Sequence, residues 1–104
     1  MSDFQNLNAD NFGKALRANH DAVLLDVRTP GEFGQGHLPG ALNIDVNGHD
    51  FHEQIENLDP EKAYFVYCHA GGRSAAASRY MTSKGFQEVY NLHGGILAWE
   101  GEVE

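Results

Sequence analysis

The pattern of apolar and polar positions divides the chain into short alternating runs. Residues 22–27 (Ala22, Val23, Leu24, Leu25, Asp26, Val27) form a continuous apolar run interrupted by a single acid, the signature of a strand buried on both faces of a parallel sheet. Residues 64–68 repeat it with Tyr64, Phe65, Val66, Tyr67 and Cys68, aromatic and β-branched enough for a second buried strand. Residues 88–92 predict another, residues 41–44 a short one, and residues 4–7 a short edge strand. Between these runs the period changes. Phe12, Ala15 and Leu16 share one helical face behind Asn8, a plausible N-cap, with an end near Ala18 or Asn19. Thr29 and Pro30 mark the start of a turn or two of helix, and residues 36–40 form a turn-rich connection. Asp50, with Glu53 three positions on, reads as the cap of a helix running to Asn57 and carrying Phe51 and Ile55 on its apolar face, stopped by Asp59 and Pro60. The alanine-rich stretch after Cys68 predicts a helix to about Lys84, with Gly85 at its C′ position and Phe86 folding back. Residues 93–99 form a turn into a short closing helix, and residues 100–104 a solvated tail.

Strands alternating with helices at this spacing specify an α/β fold: a mainly parallel sheet of about five strands with helices on both faces. Residues 1–104 fit one domain, a size able to bury a core without staples. No repeat or linker interrupts it. The first residues carry no basic segment followed by an apolar one, so no signal peptide is expected. No apolar run approaches the roughly 20 residues of a membrane span. The formal charge is −8, from 7 Lys and Arg against 15 Asp and Glu, which argues against nucleic acid and anionic membranes as partners. The chain has one cysteine, hence no internal disulfide and no cysteine cluster for structural zinc. A lone cysteine among glycines and basic residues points to a reducing compartment, the cytoplasm.

The chemistry concentrates where the strand ending at Cys68 feeds the following helix. Ligands of parallel sheets collect at the carboxyl ends of the strands, and Cys68, Asp26 and Val27 all stand there. The connecting segment is His69, Ala70, Gly71, Gly72, Arg73 and Ser74. Its glycines favour a curled backbone that turns several N–H groups inward, and the helix dipole adds roughly half a positive charge. A thiol at the base of such a nest ionises more readily than a free one, with its pKa of about 8.5. Cys68 is therefore expected to be a nucleophile in an anion-binding cradle, against the alternative of an inert buried thiol at a strand end.

The order of motifs resembles a rhodanese domain. Asp26-Val27-Arg28, Glu32-Phe33 and Gly36-His37-Leu38-Pro39-Gly40-Ala41-Leu42-Asn43-Ile44 are similar to its N-terminal half. Cys68 through Ser74 resembles its active-site loop, and Leu92-His93-Gly94-Gly95-Ile96-Leu97-Ala98-Trp99 its closing motif. The resemblance covers nearly the whole chain and is to a single-domain rhodanese. It implies a three-layer fold and sulfurtransfer without a cofactor. Cys68 would take the outer sulfur of a sulfane donor such as thiosulfate, hold it as a persulfide, and pass it to a thiol or to cyanide. With no second cysteine to resolve the persulfide, the sulfur must go to another molecule, small or a sulfur-relay protein.

Four residues separate Cys68 from Arg73. This Cys-x4-Arg ring resembles that of rhodaneses. Cell-cycle-type dual-specificity phosphatases use a ring one residue longer and usually have histidine where Tyr67 stands here. A phosphatase or an arsenate reductase is thus a lesser alternative, and a noncatalytic rhodanese-like binding or regulatory module is the main one. Arg73 is read either as an anion attractor or as the ion-pair partner of Asp26 or Glu32. Asp26, Arg28 and Glu32 are read as supports of the loop. His69 stands where many rhodaneses carry arginine, and a neutral imidazole makes the cradle less positive. Ser74 either donates to the Cys68 sulfur or caps the helix. His37 is expected to be satisfied within its turn, and His49 and His52 to lie at the surface without a metal. Gly94, Gly95 and Trp99 are read as turn and core, with Trp99 a possible wall of the site.

Overall fold

The structure is a computed structural model that describes residues 3–104. Five strands lie parallel in the order β1 (Gln5–Leu7), β5 (Glu88–Leu92), β4 (Ala63–Tyr67), β2 (Val23–Asp26) and β3 (Leu42–Asn43). All five residues of β4 are buried, because the central strand is covered on both faces. Tyr64 and Val66 face a layer containing Phe51 and Ile55 of α3 (Phe51–Glu56) and Ala77 and Met81 of α4 (Gly72–Ser83). Phe65 and Tyr67 face Phe12 of α1 (Ala9–Ala18), Leu38 and Trp99. The alternation of neighbouring side chains across the strand thus builds two cores from one apolar run.

Local chemistry sets most element ends. Asn8 caps α1, its side chain accepting from the Asn11 N–H at 2.9 Å. Thr29 opens α2 (Pro30–Gln35) with a reciprocal box: its hydroxyl accepts from the Glu32 N–H while Glu32 Oε1 accepts from the Thr29 N–H. Gly85 adopts φ 96° after α4. The N–H groups of Gly85 and Phe86 close on the carbonyls of Thr82 and Met81, the arrangement that ends a helix in a left-handed residue.

Two expectations are corrected. Asp50 precedes α3 but makes no side-chain cap bond, its backbone lying at φ −104° and ψ 15° rather than extended. A turn through residues 45–48 does the work instead, and the Phe51 N–H donates to the Gly48 carbonyl at 3.2 Å. The tail, residues 100–104, is exposed as expected, and it is also tethered. His37 and Glu104 exchange backbone hydrogen bonds of 3.1 and 2.7 Å, and His37 Nε2 lies 3.3 Å from Glu104 Oε1. Trp99 does not wall the Cys68 loop: its ring packs edge-on against Phe12 at 6.3 Å and its indole N–H donates to the Glu102 carbonyl.

The topology fixes where a ligand can sit. The connection after β2 leads outward to β3, and that after β4 leads through α4 to β5 on the other side. The crevice between the carboxyl ends of β2 and β4 is therefore the switch point of the sheet, the usual ligand position in such folds. Asp26 is the last residue of β2, and Cys68 the first beyond β4.

Candidate active site

Cys68 leaves β4 at the floor of the loop that leads into α4. Its side chain is buried at the edge of the core, with the sulfur turned to the loop donors. Sγ accepts hydrogen bonds from the Gly71 N–H at 3.1 Å, the Ser74 N–H at 3.3 Å and the Ser74 hydroxyl at 3.3 Å. Gly71 reaches this position through φ 109°, which a side chain would strain. The residue is only 1% exposed. Burial pushes the thiol pKa up, but the Ser74 hydroxyl and the N–H groups of Ser74, Gly71 and Ala70 together outweigh it and hold the pKa below its ordinary value. The thiolate is the form this cradle favours. Of the two roles open to Ser74, the structure takes the first: it donates to sulfur, while Gly71 occupies the N-cap position without a side-chain bond.

The loop is clamped from above by the closing 3₁₀ turn, Gly95–Ala98. Cys68 and His69 offer their carbonyls to the N–H groups of Ile96 at 2.9 Å and Leu97 at 3.2 Å. Gly95 has φ 66°, and a Cβ there would lie 2.3 Å from the His69 carbonyl oxygen. Only glycine lets the two loops approach so closely, which makes Gly95 part of the site rather than a turn residue alone. Gly71 and Gly94 are also in near contact, a Cβ on the former reaching 3.3 Å from the N–H of the latter.

The charged residues form two separate pairs. Asp26 is fully buried and Arg28 5% exposed. The Arg28 Nη2 approaches Asp26 Oδ2 at 2.6 Å, and its Nε lies 3.0 Å from both carboxylate oxygens. The same guanidinium donates to the Gly36 carbonyl at 2.6 Å, tying β2 to the end of α2. The Asp26 hydrogen bond, against the opposing cost of burial, raises the Arg28 pKa further. Arg73 does not reach Asp26. Among the described residues it pairs with Glu32 alone, Nη1 to Oε1 at 2.8 Å and Nη2 to Oε2 at 3.0 Å. The Arg73 hydrogen bond, with the Thr29 N–H behind it, lowers the Glu32 pKa to about 2.

Two supports carried no recognisable mark in the sequence. The Asn43 side chain donates to the carbonyls of Asp26 and Arg28, both at 2.9 Å, and Tyr67 Oη accepts the Leu38 N–H at 3.0 Å. Both join a strand to a segment distant in the chain. His37 is satisfied as expected, Nδ1 lying 3.0 Å from the Phe33 carbonyl and its ring stacking on Phe33 at 3.8 Å. His52 packs on Tyr80. Among the described residues no group of three or more His, Cys, Asp or Glu is placed to hold a metal, and no helix is long and apolar enough to cross a membrane.

Beside the loop lies an open cleft of about 340 Å³ whose walls include Arg28, Glu32, His69, Ile96 and Val103. His69, exposed at the loop surface, is where cleft and cradle adjoin. The assembly is a sulfur nucleophile with a lowered pKa, fixed by amide donors, next to a space able to hold a small donor. That arrangement suits attack by sulfur and stabilisation of a terminal sulfur anion.

The family model for the rhodanese-like domain matches residues 9–102. The chain is 35% identical over 99 residues to the thiosulfate sulfurtransferase GlpE of Ectopseudomonas mendocina, covering 95% of this chain and 87% of that one. It is 39% identical over 89 residues to the tRNA uridine(34) hydroxylase of Cytophaga hutchinsonii, covering 83% of this chain but 28% of the hydroxylase. The structure superimposes on a rhodanese-like domain protein from Staphylococcus aureus with a TM-score of 0.84 at 25% identity, covering 97% of both chains.

Proposed function

The chain belongs to the rhodanese-like domain family, and from that premise we propose that this sulfurtransferase carries sulfur as a persulfide on Cys68. The observation that carries the reading is the three-donor contact to Sγ, from the Gly71 and Ser74 N–H groups and the Ser74 hydroxyl.

In the first half-reaction the Cys68 thiolate attacks the outer sulfur of a sulfane donor such as thiosulfate. A new S–S bond forms on the enzyme, the donor's S–S bond breaks, and its electron pair leaves with sulfite. The terminal sulfur of the persulfide then holds the negative charge, stabilised by the loop amides and the positive end of α4. In the second half-reaction cyanide, or a thiolate, attacks that sulfur, and the Cys68 thiolate is regenerated as thiocyanate or a new persulfide departs. No redox cofactor is consumed, and ping-pong kinetics follow. A thiol on a relay protein would serve as acceptor as well as a small one.

Incubation with thiosulfate followed by intact mass measurement tests this. A gain of one sulfur is expected, removable by cyanide and absent from Cys68→Ser. Absence of an adduct with every sulfane donor would overturn it and leave the noncatalytic binding module, for which a tight partner without turnover is the signature. The phosphatase alternative predicts hydrolysis of an aryl phosphate. The Cys-x4-Arg ring and the engagement of Arg73 by Glu32 both weigh against it.

A further inference from the structure

Both guanidiniums near Cys68 are neutralised. Arg28 is paired with buried Asp26, and Arg73 with Glu32 through two parallel contacts. Asp45 adds a further negative field at Arg73. Glu32 retains its charge at any working pH, its pKa lying at about 2. The protein as a whole carries a formal charge of −8. The remaining positive potential belongs to the amides, and they are directed inward at Sγ. Among the described residues, the mouth therefore holds no unpaired guanidinium to compensate a dianion approaching a thiolate.

One side of the same mouth is apolar, facing the polar wall of Arg28, Glu32, Gln35 and His69. Three large hydrophobic residues are exposed among those described, and two of them adjoin His69. Val103, 52% exposed, lines the cleft with it. Leu97, 67% exposed, bonds its N–H to the His69 carbonyl. Ile96 completes this side of the cleft. At about 340 Å³ the space lies at the small end of organic-ligand pockets, which run from about 300 Å³ upward, and is generous for an inorganic anion.

We infer that Glu32 is a specificity-determining residue: by cancelling the charge of Arg73 it makes the site select singly charged organic sulfane donors over dianionic thiosulfate. The inference rests on the sulfurtransferase reading above and names its donor class. With an aryl thiosulfonate the step balances without a co-reactant. The Cys68 thiolate attacks the terminal sulfur, the sulfur–sulfur bond of the donor breaks, and the electron pair leaves on the sulfinate.

The test compares thiosulfate with benzenethiosulfonate as donors, with cyanide as acceptor, in the wild type and Glu32→Gln. Gln keeps the Thr29 box but removes the charge. The wild type is expected to show a higher kcat/KM for the thiosulfonate. Added salt should narrow the gap by accelerating the dianion more, because repulsion is screened within about 8 Å at physiological ionic strength. In Glu32→Gln the released Arg73 should raise thiosulfate kcat/KM about tenfold relative to the thiosulfonate, a change of ~1.4 kcal/mol in discrimination. The change in ratio is independent of the donors' intrinsic reactivity. An unchanged ratio in a folded variant, or thiosulfate preferred by the wild type, overturns the inference. Should the variant not fold, the salt response of the wild type decides, and equal acceleration of both donors overturns it. Failure of both donors to load sulfur by intact mass would instead remove the sulfurtransferase reading.

Discussion

Substituting Ser74 by Ala removes one of the three donors to the Cys68 sulfur and leaves the two amides in place. The hydroxyl has a single proton to donate, and two acceptors lie in reach: Sγ at 3.3 Å and the Gly71 carbonyl at 3.2 Å. That carbonyl already receives the Ala75 N–H at 3.0 Å, and a thiolate, being charged, is the stronger acceptor of the two. A hydrogen bond to a charged group contributes about 1.5–3 kcal/mol. A long contact to sulfur belongs at the lower end, near ~1.4 kcal/mol or one pKa unit. The thiol midpoint of Ser74→Ala is therefore expected to rise by about one unit. A more basic thiolate is also a better nucleophile, by about threefold for that shift. Persulfide formation should thus be about threefold slower at pH below both midpoints and about threefold faster on the alkaline plateau. The two pH profiles should cross. Thiolate ultraviolet absorbance gives the midpoints, and rapid-quench mass measurement the rates. A midpoint that stays put or falls would refute the assignment of the hydroxyl to sulfur. The same linkage has a stability sign. A thiol whose pKa is depressed on folding stabilises the protein increasingly as pH rises through the folded midpoint, fully above the unfolded value of about 8.5. That alkaline gain should shrink in Ser74→Ala.

Two further substitutions test the scaffold. Gly95→Ala places a Cβ 2.3 Å from the His69 carbonyl oxygen at φ 66°, so the Cys68 loop must shift. Sulfur loading should fall by about a hundredfold, as ångström-scale misplacement does, while far-ultraviolet circular dichroism stays native; undiminished loading would show that the clamp is dispensable. Asp26→Asn leaves the Arg28 guanidinium, 5% exposed, without its counter-charge. Urea unfolding should show a loss of about 3–5 kcal/mol, partly recovered by adding Arg28→Met, and a loss no greater than that of a surface ion pair would sink the account of this buried pair.

Much of the architecture was readable along the chain because it depends on local signals. Continuous apolar runs marked β2 and β4, and Asn8, Thr29 with Pro30, and Gly85 marked helix ends through bonds made within a few residues. Asp50 shows where that logic stops. It has the right residue and the right spacing to Glu53, yet a backbone turn through Gly48 already serves the helix start and holds Asp50 out of the extended conformation that a cap needs.

The candidate site divides along the same line. Strand, glycines, cysteine and helix are consecutive, so the order of residues alone determined that amides would converge on Cys68. Only the tertiary structure decided that Arg73 meets Glu32 and leaves Asp26 to Arg28, that Gly95 presses on the His69 carbonyl, and that the tail lies along His37. Apart from the Asp26–Arg28 pair, these contacts join segments far apart in the chain whose meeting depends on sheet order, and a pattern of periods and caps carries no information about which distant partner a side chain will reach.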